Sequence, residues 1–170
     1  FTIVENIPLT STVFKMVLEG NTSQITAPGQ FVEIAVPGRF LRRPISVCDW
    51  SENSLTLIYK VVGSGTADLS TMTPGTTLNI LTGLGNGYDL SMSGDAPLLL
   101  GGGVGVPPMY GLCKALLAEG KTPTVILGFN TAAEVFYEDA FRALGVEVLV
   151  TTVDGSRGIQ GFVTDAMTVP

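Results

Sequence analysis

The segment Leu98-Leu99-Leu100-Gly101-Gly102-Gly103-Val104-Gly105-Val106-Pro107-Pro108 allows few folds. An apolar run of strand length leads straight into glycines, and the glycines lead into a helical pattern. Glycine lets a backbone approach a ligand closely. A helix start adds N–H donors and the positive end of its dipole. Pro107 or Pro108 fits a first helical turn without losing a helix bond. A tight strand-to-helix turn without a ligand could use the same residues. The spacing is also not a strict G-x-G-x-x-G, because Pro108 takes the last glycine's place. The strand, turn and helix context favours nucleotide binding.

The residues that follow repeat the alternation. Apolar Met109, Leu112, Ala115 and Leu116 predict a helix over 106–118, ended by Gly120. Residues 124–129 predict a second buried strand. A second helix is predicted over 132–144, opened by Glu134 and closed by Arg142 and Gly145, as the helix dipole favours. A third strand is predicted over 146–150. The continuous apolar run 96–100 predicts a first strand buried on both faces. Glu138 and Asp139 adjoin on the second helix and are expected to be solvated. This β-α-β-α-β run is half of a doubly wound parallel sheet. A loop over 154–158 and a short apolar segment ending at Pro170 complete it.

The first half of the chain is different. Segments 1–8, 13–18, 30–36, 45–49, 54–62 and 77–81 carry β-branched or alternating patterns. Turn formers such as Pro28-Gly29, Pro37-Gly38 and Pro74-Gly75 separate them. Six short strands predict a small antiparallel barrel, with 67–72 as a short helix or turn across one end. The expected division is 1–92 and 93–170.

Three motifs lie in this half. Arg43-Pro44-Ile45-Ser46 opens a strand, where an arginine can pair with a phosphate. Alone, it would be a surface arginine and a strand serine. Gly63-Ser64-Gly65-Thr66 precedes the short helix and could hold a second phosphate, or simply end a strand. Gly83-Leu84-Gly85-Asn86-Gly87-Tyr88 is either a linker or a flexible joint beside a cleft.

Composition excludes several classes. The net charge is −6, and Arg39, Arg42 and Arg43 form the one basic cluster, which suits a single anionic cofactor rather than nucleic acid. There is no histidine, so Ser-His-Asp and Cys-His catalysis are excluded within these residues. Cys48 and Cys113 are too few for an iron–sulfur cluster and suit buried reduced thiols in a cytosolic protein. No metal site is expected in this chain. No apolar run approaches the ~20 residues of a membrane helix. No signal peptide opens the chain. The first residue is Phe1, so a fragment of a longer protein is expected.

Taken in order, these motifs resemble the ferredoxin–NADP reductase superfamily, in which a flavin-binding barrel precedes a nicotinamide-binding α/β domain. Within it they are similar to the electron-transfer subunits of NAD-linked dihydroorotate dehydrogenases. The residues carrying the likeness include 41–48, 61–66, 84–88, 101–108, Glu134-Val135-Phe136-Tyr137, Asp154-Gly155-Ser156 and Gly161-Phe162-Val163-Thr164-Asp165. The resemblance implies that FAD meets Arg43, Pro44, Ile45 and Ser46, with Arg43 on the pyrophosphate and Ser46 near the flavin N5 edge. It implies Tyr59, Lys60 and Val61 along the flavin, and Gly65 and Thr66 at its phosphates. Gly102, Gly103, Val104 and Gly105 would receive NAD.

The same likeness implies a heterotetramer with an FMN-containing catalytic subunit, in pyrimidine biosynthesis. It also implies a two-iron cluster on a C-terminal cysteine segment that these 170 residues do not contain. The nucleotide domain is accordingly expected to be incomplete here. Asn130-Thr131-Ala132-Ala133-Glu134 offers no cation for a 2′-phosphate, which favours NAD over NADP. Two alternatives stay open: the reductase subunit of a sulfide dehydrogenase or hydrogenase type complex, and a non-catalytic module that has lost its flavin.

Overall fold

Alternating inward and outward side chains build the first unit, Phe1–Tyr88, in the computed structural model, which describes residues 1–167. Six strands form one antiparallel sheet. They are β1 (Thr2–Pro8), β2 (Val13–Glu19), β3 (Phe31–Ile34), β4 (Arg43–Ser51), β5 (Ser54–Lys60) and β6 (Ile80–Leu84). Their order is β1-β2-β5-β4-β3-β6. The outer strands are joined by the segment before β6. Thr2 bridges Thr77, and the Ile3 and Leu78 amides donate to Thr76 and Phe1 carbonyls at 2.8 and 2.7 Å. The two ends of the sheet order are thus brought together as a barrel.

The core follows the period of two. Met16 and Leu18, Val32 and Ile34, and Leu55, Leu57 and Tyr59 all point inward and are buried. The helix expected over 67–72 starts earlier. It is α1 (Ser64–Ser70), so the Gly-Ser-Gly-Thr motif forms its first turn, and Leu69 seals the barrel end.

The second unit begins at Asp89. It has a parallel sheet of β7 (Leu98–Gly102), β8 (Thr124–Phe129), β9 (Glu147–Thr152) and β10 (Ile159–Gln160), in the order β10-β9-β8-β7. Helix α2 (Val106–Ala118) packs on β7, α3 (Glu138–Ala143) on β9, and α4 (Val163–Ala166) on β8 and β9. The last three residues of the apolar C-terminal segment lie outside the described residues.

Two expectations fail here. The strand at 98–102 is not buried on both faces. Among the described residues it is last in the sheet order, with Leu98 and Leu100 42% and 36% exposed, while β8 in the interior is buried almost throughout. An apolar run does not reveal whether a strand is central or terminal. The helix expected over 132–144 is also broken. A 3₁₀ turn spans Ala132–Glu134, and α3 starts only after Tyr137, whose φ of 65° is left-handed. That conformation cannot continue a right-handed helix. Tyr137 packs edge-on against Tyr110 of α2, with ring centroids 5.1 Å apart.

Candidate functional site

Strands β4 and β5 part company where the predicted flavin residues begin. Their ladder runs from Ser51↔Ser54 to Val47↔Leu57 and stops. Beyond it, residues 43–46 pair only with β3, and residues 58–60 only with β2. Each strand therefore keeps one unladdered backbone edge. Arg43, Pro44, Ile45 and Ser46 lie on one and Tyr59 and Lys60 on the other, and Val61 continues β5, its amide donating to the Thr12 carbonyl at 2.8 Å.

Arg43 and Gly65 are brought into contact. A Cβ built on Gly65 would lie 2.6 Å from Arg43 Cζ, closer than any real contact. Glycine leaves room here for the guanidinium against the first turn of α1. Arg43 Nη1 donates to the Leu41 carbonyl at 2.6 Å, which fixes its angle.

The three arginines of the basic cluster do different work. Arg39 Nε meets Asp68 Oδ2 at 2.7 Å, and this partner holds the Asp68 carboxyl below its ordinary range. Arg42 donates to the Glu33 and Asn79 carbonyls at 3.2 Å each, and to Asn79 Oδ1 at 2.7 Å. It clamps β3 to the approach to β6. Of the three, only Arg43 lies on the glycine turn, so the cluster is not one triple-charged anion site.

Thr66 is occupied structurally. Its hydroxyl accepts from the Val62 and Gly63 amides at 2.9 and 3.2 Å and donates to the Gly63 carbonyl at 3.0 Å. This is half of a capping box; Gly63 has no side chain to complete it. Tyr59 turns its ring into the barrel, and its hydroxyl donates to Asn6 Oδ1 at 3.0 Å. Burial pushes the phenol up to about 12. Any contact Tyr59 makes with a ligand on the open edge comes from its backbone. Asn6 then donates to the Leu69 and Met72 carbonyls, both at 2.9 Å, and so anchors the far end of α1. Nothing in the sequence marked Asn6, because its partners lie more than 50 residues away.

The glycines at 83–87 are neither a linker nor a flexible joint. Buried Gln30 accepts from the Thr26 and Ala27 amides and donates to the Gly85 carbonyl at 3.1 Å. The Tyr88 amide donates to the Pro28 carbonyl at 2.8 Å. Gly85 and Gly87 have φ of 81° and 74° and pack on Phe31 and Ala27. This stretch is a strap fastened to the barrel, and its glycines serve left-handed turns and close packing.

In the second unit the glycine loop after β7 is open. Gly101 is tight, since a Cβ there would sit 2.9 Å from Val106 Cα. Gly102, Gly103 and Gly105 have nothing within 4 Å of a built Cβ, and Val104 is exposed. Pro107 and Pro108 have no N–H, and the Val106 amide is spent on the Gly103 carbonyl. The donors available to an anion therefore come from the loop before Val106, rather than from the first helical turn.

The loops after β8 and β9 are tied together beside it. The Asp154 amide donates to the Asn130 carbonyl at 3.2 Å, and the Ala132 amide to Ser156 Oγ at 2.7 Å. Asp154 Oδ1 accepts from the Ser156 amide and hydroxyl, which lower its pKa. Asn130 Nδ2 donates to Glu134 Oε2 at 2.9 Å. The Asp-Gly-Ser sequence signals such a turn, but its partners across the loop could not be read. Glu138, expected to be solvated, is instead 8% exposed. Its carboxylate meets Arg142 at 2.9 Å and Arg157 at 2.6 Å. Asp139 is exposed, as expected. Among the described residues no group of three or more Cys, Asp or Glu is arranged to hold a metal ion.

No family model matches the chain. Two relatives carry the name dihydroorotate dehydrogenase B (NAD(+)), electron transfer subunit. That from Geobacillus sp. strain WCH70 is 43% identical over 174 residues, and that from Fusobacterium nucleatum 44% over 174 residues. Each match covers 98% of this chain and 67% of the relative. The chain belongs to this family. It spans about two thirds of the length of these curated relatives. Among solved structures, the NADH-dependent reduced ferredoxin–NADP oxidoreductase superposes with a TM-score of 0.88 at 35% identity, over 98% of this chain and 61% of that one. A Neisseria gonorrhoeae ferredoxin–NADP⁺ reductase, solved with bound FAD and NADP, gives 0.80 at 18% identity, over 94% and 71%. The fold is therefore that of the ferredoxin reductases, a barrel followed by an α/β unit.

Proposed function

We propose that this chain passes electrons between NAD(H) and FAD on behalf of an FMN-containing dihydroorotate dehydrogenase catalytic subunit, in pyrimidine biosynthesis. The observation that carries the flavin reading is the arginine seated on Gly65 beside two unladdered strand edges. A guanidinium held there by the Leu41 carbonyl is a fixed cation for a pyrophosphate. The edges at 43–46 and 58–60 leave backbone donors and acceptors for the rim of a flat ring. Ser46 lies on that edge, opposite Phe31 of β3. Gly65 and Thr66 supply backbone at the phosphates, because the Thr66 hydroxyl is already committed. FAD bound there would supply a ring that gathers electrons singly and passes them as a pair to a nicotinamide, or the reverse.

The α/β unit is the NAD-binding half of the proposal. Gly102, Gly103, Val104 and Gly105 form a backbone surface with open space above it, which suits a pyrophosphate. Cys48 and Cys113 do not fit the two-iron cluster that the family likeness implies. Both are buried, one in each unit, and a cluster needs about four ligands. The family name, electron transfer subunit, supports a partner protein. A heterotetramer with the catalytic subunit is the proposed assembly.

An anaerobic visible spectrum of the purified full-length protein, taken before and after NADH or NADPH, tests this reading. The expected result is a flavin band bleached faster by NADH. A protein that stays colourless and takes up no added FAD would overturn it.

A further inference from the structure

The buried Glu138 carboxylate is the least expected feature of the α/β unit, and resting on the NAD-binding reading above, it points to a device for choosing the nucleotide. In an open parallel sheet, ligands lie beyond the carboxyl ends of the strands. Here those ends carry the glycine loop after β7 and the interlocked loops after β8 and β9. Arg157 belongs to the last of these, three residues after Asp154, and would be the cation within the loop available to an adenosine 2′-phosphate.

The Arg157 backbone is tied to the end of β9. Thr152 Oγ1 accepts from the Arg157 amide at 3.0 Å and donates to the Arg157 carbonyl at 2.8 Å. Its guanidinium nevertheless goes to Glu138, with Nη2 2.6 Å from Oε2. Glu138 is fixed in turn. Its other oxygen takes Arg142 Nε and Nη2 at 3.1 and 2.9 Å, and Arg142 also donates to the Val148 carbonyl of β9. Asp154, by contrast, is exposed.

We propose that Glu138 is a specificity-determining residue that holds Arg157 away from the adenosine 2′ position. The loop then offers a carboxylate, suited to ribose hydroxyls, where a 2′-phosphate would need a cation. Selectivity for NADH over NADPH thus depends on a residue that touches neither nucleotide.

Equilibrium binding of NADH and NADPH to the full-length protein tests this without turnover. Glu138→Gln should tighten NADPH binding about tenfold, the worth of one charge-assisted bond to phosphate, and leave NADH within about twofold. Adding Arg157→Ala should abolish the gain. Arg157→Ala alone should leave NADPH affinity unchanged, because the half-exposed guanidinium is already engaged by Glu138. A folded Glu138→Gln protein with unaltered NADPH affinity would overturn the proposal, as would a marked loss of NADPH binding on Arg157→Ala alone. If Glu138→Gln does not fold, Glu138→Asp, one methylene shorter, should narrow the same preference. Failure of the wild-type protein to bind either nucleotide would instead overturn the NAD-binding reading itself.

Discussion

The two units each contain a glycine turn, and the two turns are opposites. In the barrel, Gly65 is covered by a side chain of the same unit, the Arg43 guanidinium. In the α/β unit, Gly102, Gly103 and Gly105 are covered by nothing from their own surroundings. In the first turn the missing Cβ leaves room for a cation; in the second it leaves the backbone bare. A pyrophosphate beside the first would meet a charged side chain, and beside the second mainly N–H dipoles. Sequence presents both as glycine clusters and cannot distinguish them.

The largest expected effect breaks this contrast at Gly65. Gly65→Val must displace the Arg43 guanidinium, the end of a flexible side chain that can move at little cost in stability. Flavin affinity should fall about tenfold or more, since a charge-assisted contact is lost. Gly102→Ala, whose φ of −110° suits alanine, should change stability by no more than about 0.5 kcal/mol. It should weaken NADH binding alone. FAD and NADH titrations would show it; a loss of FAD affinity on Gly102→Ala as large as that on Gly65→Val would remove the distinction.

Next come the arginines. Arg43→Ala should lower FAD affinity with little change in the melting temperature of the flavin-free protein. Arg42→Ala should do the reverse, removing three hydrogen bonds and costing about 1–3 kcal/mol, with FAD affinity nearly intact. A fall in FAD affinity on Arg42→Ala as large as that on Arg43→Ala would restore the single basic cluster that the sequence suggested.

Local pattern carried most of the fold into view. Six strands and the βαβ order follow from period and turn residues, and 106–118 and 124–129 match helix and strand end to end. What stayed hidden depends on distant partners. The exposure of Leu98 and Leu100 is set by strand order. The break at Tyr137 is a φ value. The burial of Glu138 depends on Arg157, 19 residues on, and the strap at 83–87 depends on Gln30. In each case the residue type was read correctly and its neighbour was not. The predicted cofactor residues fared similarly: Arg43 and Gly65 meet, while the Tyr59 ring and Thr66 hydroxyl turn out to serve the barrel itself.

The cysteines compare the units more finely, because each unit has one. Cys48 and Cys113 are both fully buried and in no disulfide, and burial raises the Cys113 thiol to about 11. At about pH 8 neither should react with an alkylating reagent except through opening of its own unit. Mass-resolved labelling rates therefore report two opening equilibria separately. Added FAD should slow Cys48 and leave Cys113 little changed; added NADH should do the opposite. Equal slowing of both thiols by either ligand would mean that the units open together.

The smallest effect concerns the hydroxyl of Tyr59, which sits between barrel and helix. Tyr59→Phe removes its bond to Asn6 and should cost about 1 kcal/mol near neutral pH. Burial raises this phenol from 10.0 to about 12, so the folded state holds its proton more tightly than the unfolded state. The stability linked to that proton is intact below pH 10 and is lost as pH rises toward 12. Phenylalanine has no such proton to lose. The gap in melting temperature between wild type and Tyr59→Phe should therefore close above pH 10. A gap that stays constant to pH 11 would mean that the Tyr59 hydroxyl reaches water, and that the end of the barrel under α1 is more open than its packing implies.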